Sequence, residues 1–192
     1  LKKIFLMVAV LVVSNVANAA SSDAFRFGLM PTISIYTVVD PNGPTAPGNG
    51  FSYLSGVMLA DAGRDSRVMA HLIYDKFSLA ATTKNIAQDV TRTSGSISYQ
   101  SMLRLTRGWK PWLGAGIGQA SETYKNRYRL TPGGFSSPLA DQERSVNNVF
   151  ILVNTSTEWQ VNKQWDMGVN LQYEHPVGEG SQVFRVGIYA VF

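Results

Sequence analysis

Gln182-Val-Phe-Arg-Val-Gly-Ile-Tyr-Ala-Val-Phe192 alternates without interruption. Phe184, Val186, Ile188, Ala190 and Phe192 share one parity; Val183, Arg185, Gly187, Tyr189 and Val191 share the other. Alternation at period two places the first set on one face of an extended strand. The stretch ends on an aromatic with no polar tail. The expectation is a strand whose apolar face meets lipid and which closes a barrel, because in a bilayer only a closed sheet satisfies all its backbone groups.

The same period recurs upstream and predicts seven further strands, over Phe25–Val38, Phe51–Ala60, Ser66–Phe77, Gly95–Thr106, Trp112–Tyr128, Asn148–Gln160 and Trp165–Glu174. Pro31 cannot donate a ladder hydrogen bond, so a bulge is expected in the first strand. In the second, Phe51, Tyr53, Val57 and Leu59 read as one phase. Long loops are expected at Asp40–Gly50, Ser78–Ser94 and Thr131–Asn147, with short turns at Ala62–Asp65, Arg107–Pro111 and Asn162–Lys163 and a moderate one at Pro176–Gly180. Alternating long and short connections are the pattern of an outer-membrane barrel. Two aromatic girdles are expected, Phe25, Trp109, Trp112, Trp159, Trp165 and Phe192 at the short-turn end and Tyr36, Phe51, Tyr53 and Tyr173 at the other. The fold class is therefore all-β, an eight-stranded antiparallel up-and-down transmembrane β-barrel.

Residues 1–19 have a basic start at Lys2-Lys3, an apolar run from Ile4 to Val13 and an Ala17-Asn18-Ala19 cleavage pattern, which together read as a secretory signal peptide cut after Ala19. Residues 20–192 are then the barrel domain, placed in a bacterial outer membrane. Losing Lys2 and Lys3 lowers the formal net charge from +4 to +2, so no nucleic-acid partner is indicated. Cysteine is absent, which excludes disulfides and thiolate metal sites, and two distant histidines offer no metal-ligand spacing. No cofactor is expected. The rival fold, a soluble lipocalin-type barrel, alternates in the same way. Composition separates them: a soluble surface runs nearer a quarter charged, and only 16% of this chain is charged.

Trp112-Leu-Gly-Ala-Gly-Ile-Gly-Gln-Ala-Ser-Glu-Thr-Tyr124 resembles the glycine-rich fifth strand of small outer-membrane barrels of the OmpX/Ail and OmpW types, a group that includes the OmpA barrel domain. Thr157–Glu174 resembles their sixth turn and seventh strand, and Phe184–Phe192 their closing strand. The likeness covers the second half of the chain well and the first half by pattern alone. It implies insertion by the barrel-assembly machinery, which reads the strand ending at Phe192. It also implies a role in adhesion, serum resistance, envelope integrity or small-molecule passage.

Parity points Arg26, Arg67, His71, Asp75, Arg104, Glu122, Glu158, Asp166, Glu174 and Arg185 into the lumen. A paired interior network is expected, because unpaired charge in a confined interior is costly. Lys125, Arg127 and Arg129 are expected to point outward at the loop rim, where they would bind lipopolysaccharide phosphates. A host polyanion would present the same chemistry. Some small barrels are lipid A deacylases with a His-x-Ser motif; here Glu174-His175-Pro176-Val177 puts Val177 at the serine position, and nothing fixes Ser181 against His175. The expected role is structural or surface-interactive, as a monomer and not an enzyme. Envelope-lipid modification and a small pore are the alternatives.

Overall fold

The computed structural model describes residues 25–39, 46–79, 88–105, 109–125, 128–130, 136–138 and 143–192. The expected leader, 1–19, and Ala20 lie outside these, as do the centres of the three long loops. The strands are β1 (Phe25–Leu29), β2 (Thr32–Val39), β3 (Ala46–Gly63), β4 (Ser66–Leu79), β5 (Gln88–Met102), β6 (Trp112–Lys125), β7 (Tyr128–Leu130), β8 (Ser136–Pro138), β9 (Arg144–Gln160), β10 (Asp166–Pro176) and β11 (Gly180–Val191). β7 and β8 form a separate small hairpin within one long loop.

The other segments close a ring. β1 and β2 are two halves of one strand, interrupted at Met30-Pro31, so nine segments make an eight-stranded barrel. Its neighbours pair antiparallel in chain order, and β11 closes it. The closing seam runs from Gly180 opposite Val39 to Gly187 opposite Thr32, then resumes with Gly28 opposite Val191 and Leu29 opposite Ala190. Closure leaves no free sheet edge.

The exterior is apolar. One row of cross-strand partners, Tyr99, Ala115, Val153, Tyr173, Phe184 and Ile35, runs across β5, β6, β9, β10, β11 and β2, and every member faces out. Ile33, Leu72, Leu113, Ile151 and Ile188 add to the same belt, each more than half exposed. A continuous apolar band of this kind is far from a water-soluble surface.

Four expectations about the strands are corrected. The second strand does not hold one phase: a β-bulge between Ser52 and Leu54 inverts it, so Phe51 faces out while Val57 and Leu59 are buried in the lumen. The expected loop at Ser78–Ser94 is largely strand, because β4 reaches Leu79 and β5 starts at Gln88. β6 stops at Lys125, short of Tyr128. Finally, Trp112 and Tyr36 are not girdle residues; both point inward and are buried, whereas Trp109, Trp159, Trp165 and Phe192 are exposed at the short-turn end.

Candidate functional site in the barrel lumen

The inward parity of five strands brings together Asp75 (β4), Arg92 (β5), Glu122 (β6), Glu174 (β10) and Arg185 (β11), all essentially without solvent exposure. Arg185 grips Asp75 with two parallel hydrogen bonds, Nη1 to Oδ1 at 2.8 Å and Nη2 to Oδ2 at 2.7 Å, and donates Nε to Glu174 Oε1 at 2.8 Å. Arg92 continues the chain, donating Nη2 to Glu174 Oε2 at 2.6 Å and Nε to Glu122 Oε1 at 3.1 Å. Three carboxylates thus face two guanidinium groups. The surplus charge falls where neutral donors gather: Glu122 also accepts from the Tyr124 hydroxyl, from Ser181 Oγ at 2.9 Å and from the Ser181 amide at 3.2 Å. Over this cluster, at the loop end, Tyr36 stacks on Phe77 with ring centroids 3.6 Å apart, and Val90, Tyr124 and Val183 pack around them.

A second cluster lies toward the short turns. Glu158 on β9 accepts from Arg67 Nη1 at 2.6 Å, Arg26 Nη1 at 2.8 Å and the Tyr189 hydroxyl at 3.0 Å. Arg26 also pairs with Asp166. Fully buried Arg67 donates to Gln100 at 2.7 Å and Ser156 at 2.9 Å, and its guanidinium lies 4.2 Å from the Trp112 ring centroid. This stacking accounts for the inward Trp112, since a desolvated guanidinium gains from an aromatic face.

Elsewhere the lumen is lined on one side by Met30, Val57, Leu59, Met69 and Ile73. Asn154, Asn170 and Gln172 on β9 and β10 are buried there too, and both ends of the Asn170 amide, together with His71 Nε2, meet no protein partner. Among the described residues no group of three or more His, Asp or Glu is arranged to hold a metal ion.

The two clusters tie together strands far apart in sequence, β11 to β4 through Arg185 and β1 to β9 through Arg26. They also occupy the lumen without solvent exposure at its loop-side cluster. Eight strands leave room for side chains and not for an aqueous channel.

Of the residues expected inside, Arg26, Arg67, Asp75, Glu122, Glu158, Asp166, Glu174 and Arg185 lie in these clusters. His71 is buried outside them, and Arg104 is not in the lumen. β5 ends at Met102, and Arg104 sits exposed beyond it, holding both oxygens of Asp65 across the short-turn end at 2.8 and 2.6 Å. That contact keeps the Asp65 carboxyl below its ordinary pKa. Arg92 is the residue that sequence reasoning missed, because it fell inside the expected loop. One signal pointed to it: Val90, Arg92 and Ser94 share a parity.

At the rim, Lys125 ends β6 and is exposed. Arg127 lies outside the described residues, and Arg129 is placed by its backbone alone, opposite Ser137 in the β7–β8 hairpin. His175 faces outward, 3.3 Å from the Tyr173 hydroxyl, whereas Ser181 is buried in the lumen against Glu122. The two stand on opposite faces of the sheet and cannot form a nucleophile–base pair.

The sequence matches no protein-family model and no curated protein. Solved structures share its architecture. Neisserial surface protein A superposes with a TM-score of 0.56 at 14% identity, covering 90% of this chain and 98% of that one. The outer membrane protein OprG of Pseudomonas aeruginosa gives 0.51 at 11% identity, covering 87% and 92%. Ail of Yersinia pestis, solved with the heparin analogue sucrose octasulfate, gives 0.49 at 10% identity, covering 87% and 97%. At these identities the likeness is one of fold, the small outer-membrane β-barrel.

Proposed function

We propose that the chain is an outer-membrane protein of a Gram-negative envelope with a supporting and surface-presenting role, neither catalytic nor conducting. The observation that carries this is the pairing of an apolar exterior with a lumen closed by buried ion pairs. The exterior requires lipid. The buried arginines and carboxylates of the interior pair with one another, leaving no charge among them presented to a substrate or a permeating ion. In this reading the short turns face the periplasm, the long loops face outward toward a surface ligand, and β11 serves as the strand the assembly machinery reads. The barrel works as a monomer, its sheet already closed without a partner.

Lipopolysaccharide is the natural lipid partner, and Lys125, Arg127 and Arg129 are the cations proposed to meet its phosphates. Changing the three together to Gln should lower lipopolysaccharide retention on the purified protein; unchanged retention would remove them from the site. Mass spectrometry of lipid A from cells with and without expression tests the non-catalytic reading, and a gain or loss of one acyl chain would overturn it. Planar-bilayer recordings of the refolded barrel should show no stable unit conductance.

A further inference from the structure

Followed once round the barrel, the row of cross-strand partners that leaves β10 at Asp166 returns to β10 at Pro176, ten residues further on. Spread over the strands of the ring, this stagger sets each strand a little over one residue against its neighbour. Residues at one height in the bore are therefore not direct cross-strand partners. With the stagger taken out, Ser55 on β3, His71 on β4, Asn154 on β9 and Asn170 and Gln172 on β10 lie within about two residues of a single level. The cluster built on Arg185 and Arg92 lies loop-ward of that level, and the cluster built on Arg26, Arg67 and Glu158 lies turn-ward of it.

All five side chains of this layer are buried, and each carries a polar atom that meets no protein partner: Ser55 Oγ, His71 Nε2, Asn154 Oδ1, Gln172 Oε1 and both ends of the Asn170 amide. Their neighbours do not supply one. The amide N–H groups of Asn154 and Gln172 are given to Ser98 and Glu174, and Met30 and Val57, at the same height, offer no strong donor or acceptor. The charged groups that act on His71, namely Glu174, Arg185 and Arg67, all belong to the flanking clusters. What remains in the layer is neutral and mixes donors with acceptors. An ion of either sign is held by one kind of group alone, whereas water donates and accepts. Buried polar groups left without any partner are costly enough that native interiors hold few of them. At about three hydrogen bonds to each internal water, six such atoms engage about two molecules.

We infer that this mid-lumen layer is a binding site for internal water, a small cluster centred on Asn170 and held between the two sets of ion pairs. Diffraction from crystals of the refolded full barrel, at a resolution that shows ordered water, tests it. Density should stand within about 3.2 Å of Asn170 Oδ1 and Nδ2 and of at least one further unpartnered atom of the layer. In micelles, magnetisation should pass from water to the Asn170 and Gln172 side-chain amide protons, with opposite sign in laboratory-frame and rotating-frame experiments, the mark of a long-lived water. Asn170→Leu should abolish the transfer to Gln172, and Val186→Ala, on the outer face, should leave it unchanged. The heat-dependent gel shift establishes that each variant is folded, and the crystal and the unaltered protein's spectra decide the matter without Asn170→Leu if it does not fold. Side chains turned to bond one another with no water between them would overturn the site. So would density that exchanges with rubidium to give an anomalous signal, since its occupant would then be a cation. Undiminished transfer to Gln172 in folded Asn170→Leu would also overturn it.

Discussion

Arg185 and Asp75 meet as two parallel forks inside the barrel, 110 residues apart in sequence and wholly removed from solvent. Removing one member of such a pair leaves the other as uncompensated buried charge. Arg185→Met strands Asp75 and weakens the hold on Glu174, and should cost about 3–5 kcal/mol. Arg185→Met combined with Asp75→Asn should recover part of that loss. Urea unfolding of the refolded protein in vesicles, read by intrinsic fluorescence, measures both; a double variant no better than the single would show that the pair is not an energetic unit.

Ile151 lies in an outward row with Ile97 and Ile117, about halfway along β9. Ile151→Arg should destabilise the barrel in a bilayer by about 2–4 kcal/mol, the cost of a cation at mid-membrane on the lipid face. On a water-facing barrel the same change would stay within about 0.5 kcal/mol. The size of the effect therefore decides whether this face meets lipid or water.

Asp65 and Arg104 form an ion pair at the short-turn end that is open to solvent. Because the guanidinium hydrogen-bonds the carboxylate, the folded pKa of Asp65 lies below its unfolded value. The linked stability is therefore present above the unfolded pKa and is lost as pH falls through the folded one. Carboxyl-detected NMR titration in micelles should give Asp65 a lower midpoint in the unaltered protein than in Arg104→Gln. Identical midpoints would show that the contact is not held in solution.

Gly28 sits where the broken first strand meets β11, and a Cβ there would run into the Ala190 carbonyl. Gly28→Ala should cost on the order of 1–3 kcal/mol by forcing the seam apart, and should speed hydrogen exchange at Val191. Gly56→Ala, with nothing within 4 Å of the added methyl, is the matched control and should leave the seam intact. Equal exchange in the two variants would locate the constraint elsewhere.

Period-two alternation made most of the barrel legible, and it worked best where one face is lipid and the other small and polar, as on β6 and β10. It failed where that contrast is missing. Residues 88–94 are polar on both faces except for Val90, so their strand and Arg92 within it were hidden. Phe51–Ala60 is apolar at both parities, so the bulge left no trace in the pattern. Leu103 and Leu105 continue the alternation past the end of β5, so the pattern alone points Arg104 inward. Trp112 was misassigned for another reason: an aromatic at a strand end suits a lipid interface, and its parity with Gly114 and Gly116 was the evidence that it faces Arg67.

The bulge in β3 has the effect of a frame change in space. Loop-ward of it, Phe51 faces lipid and Ser52 donates to Asp75 inside; turn-ward of it, the outward and inward positions are exchanged. Deleting one residue there would restore a single frame and turn Val57 and Leu59 outward and Met58 and Ala60 inward. Because both sets are apolar, that half of the strand would still bury a hydrophobic face. The loop-ward half has no such reserve, since its inward Ser52 and outward Phe51 are not interchangeable. A one-residue insertion or deletion thus divides β3 into a stretch that reads in either frame and a stretch that reads in only one.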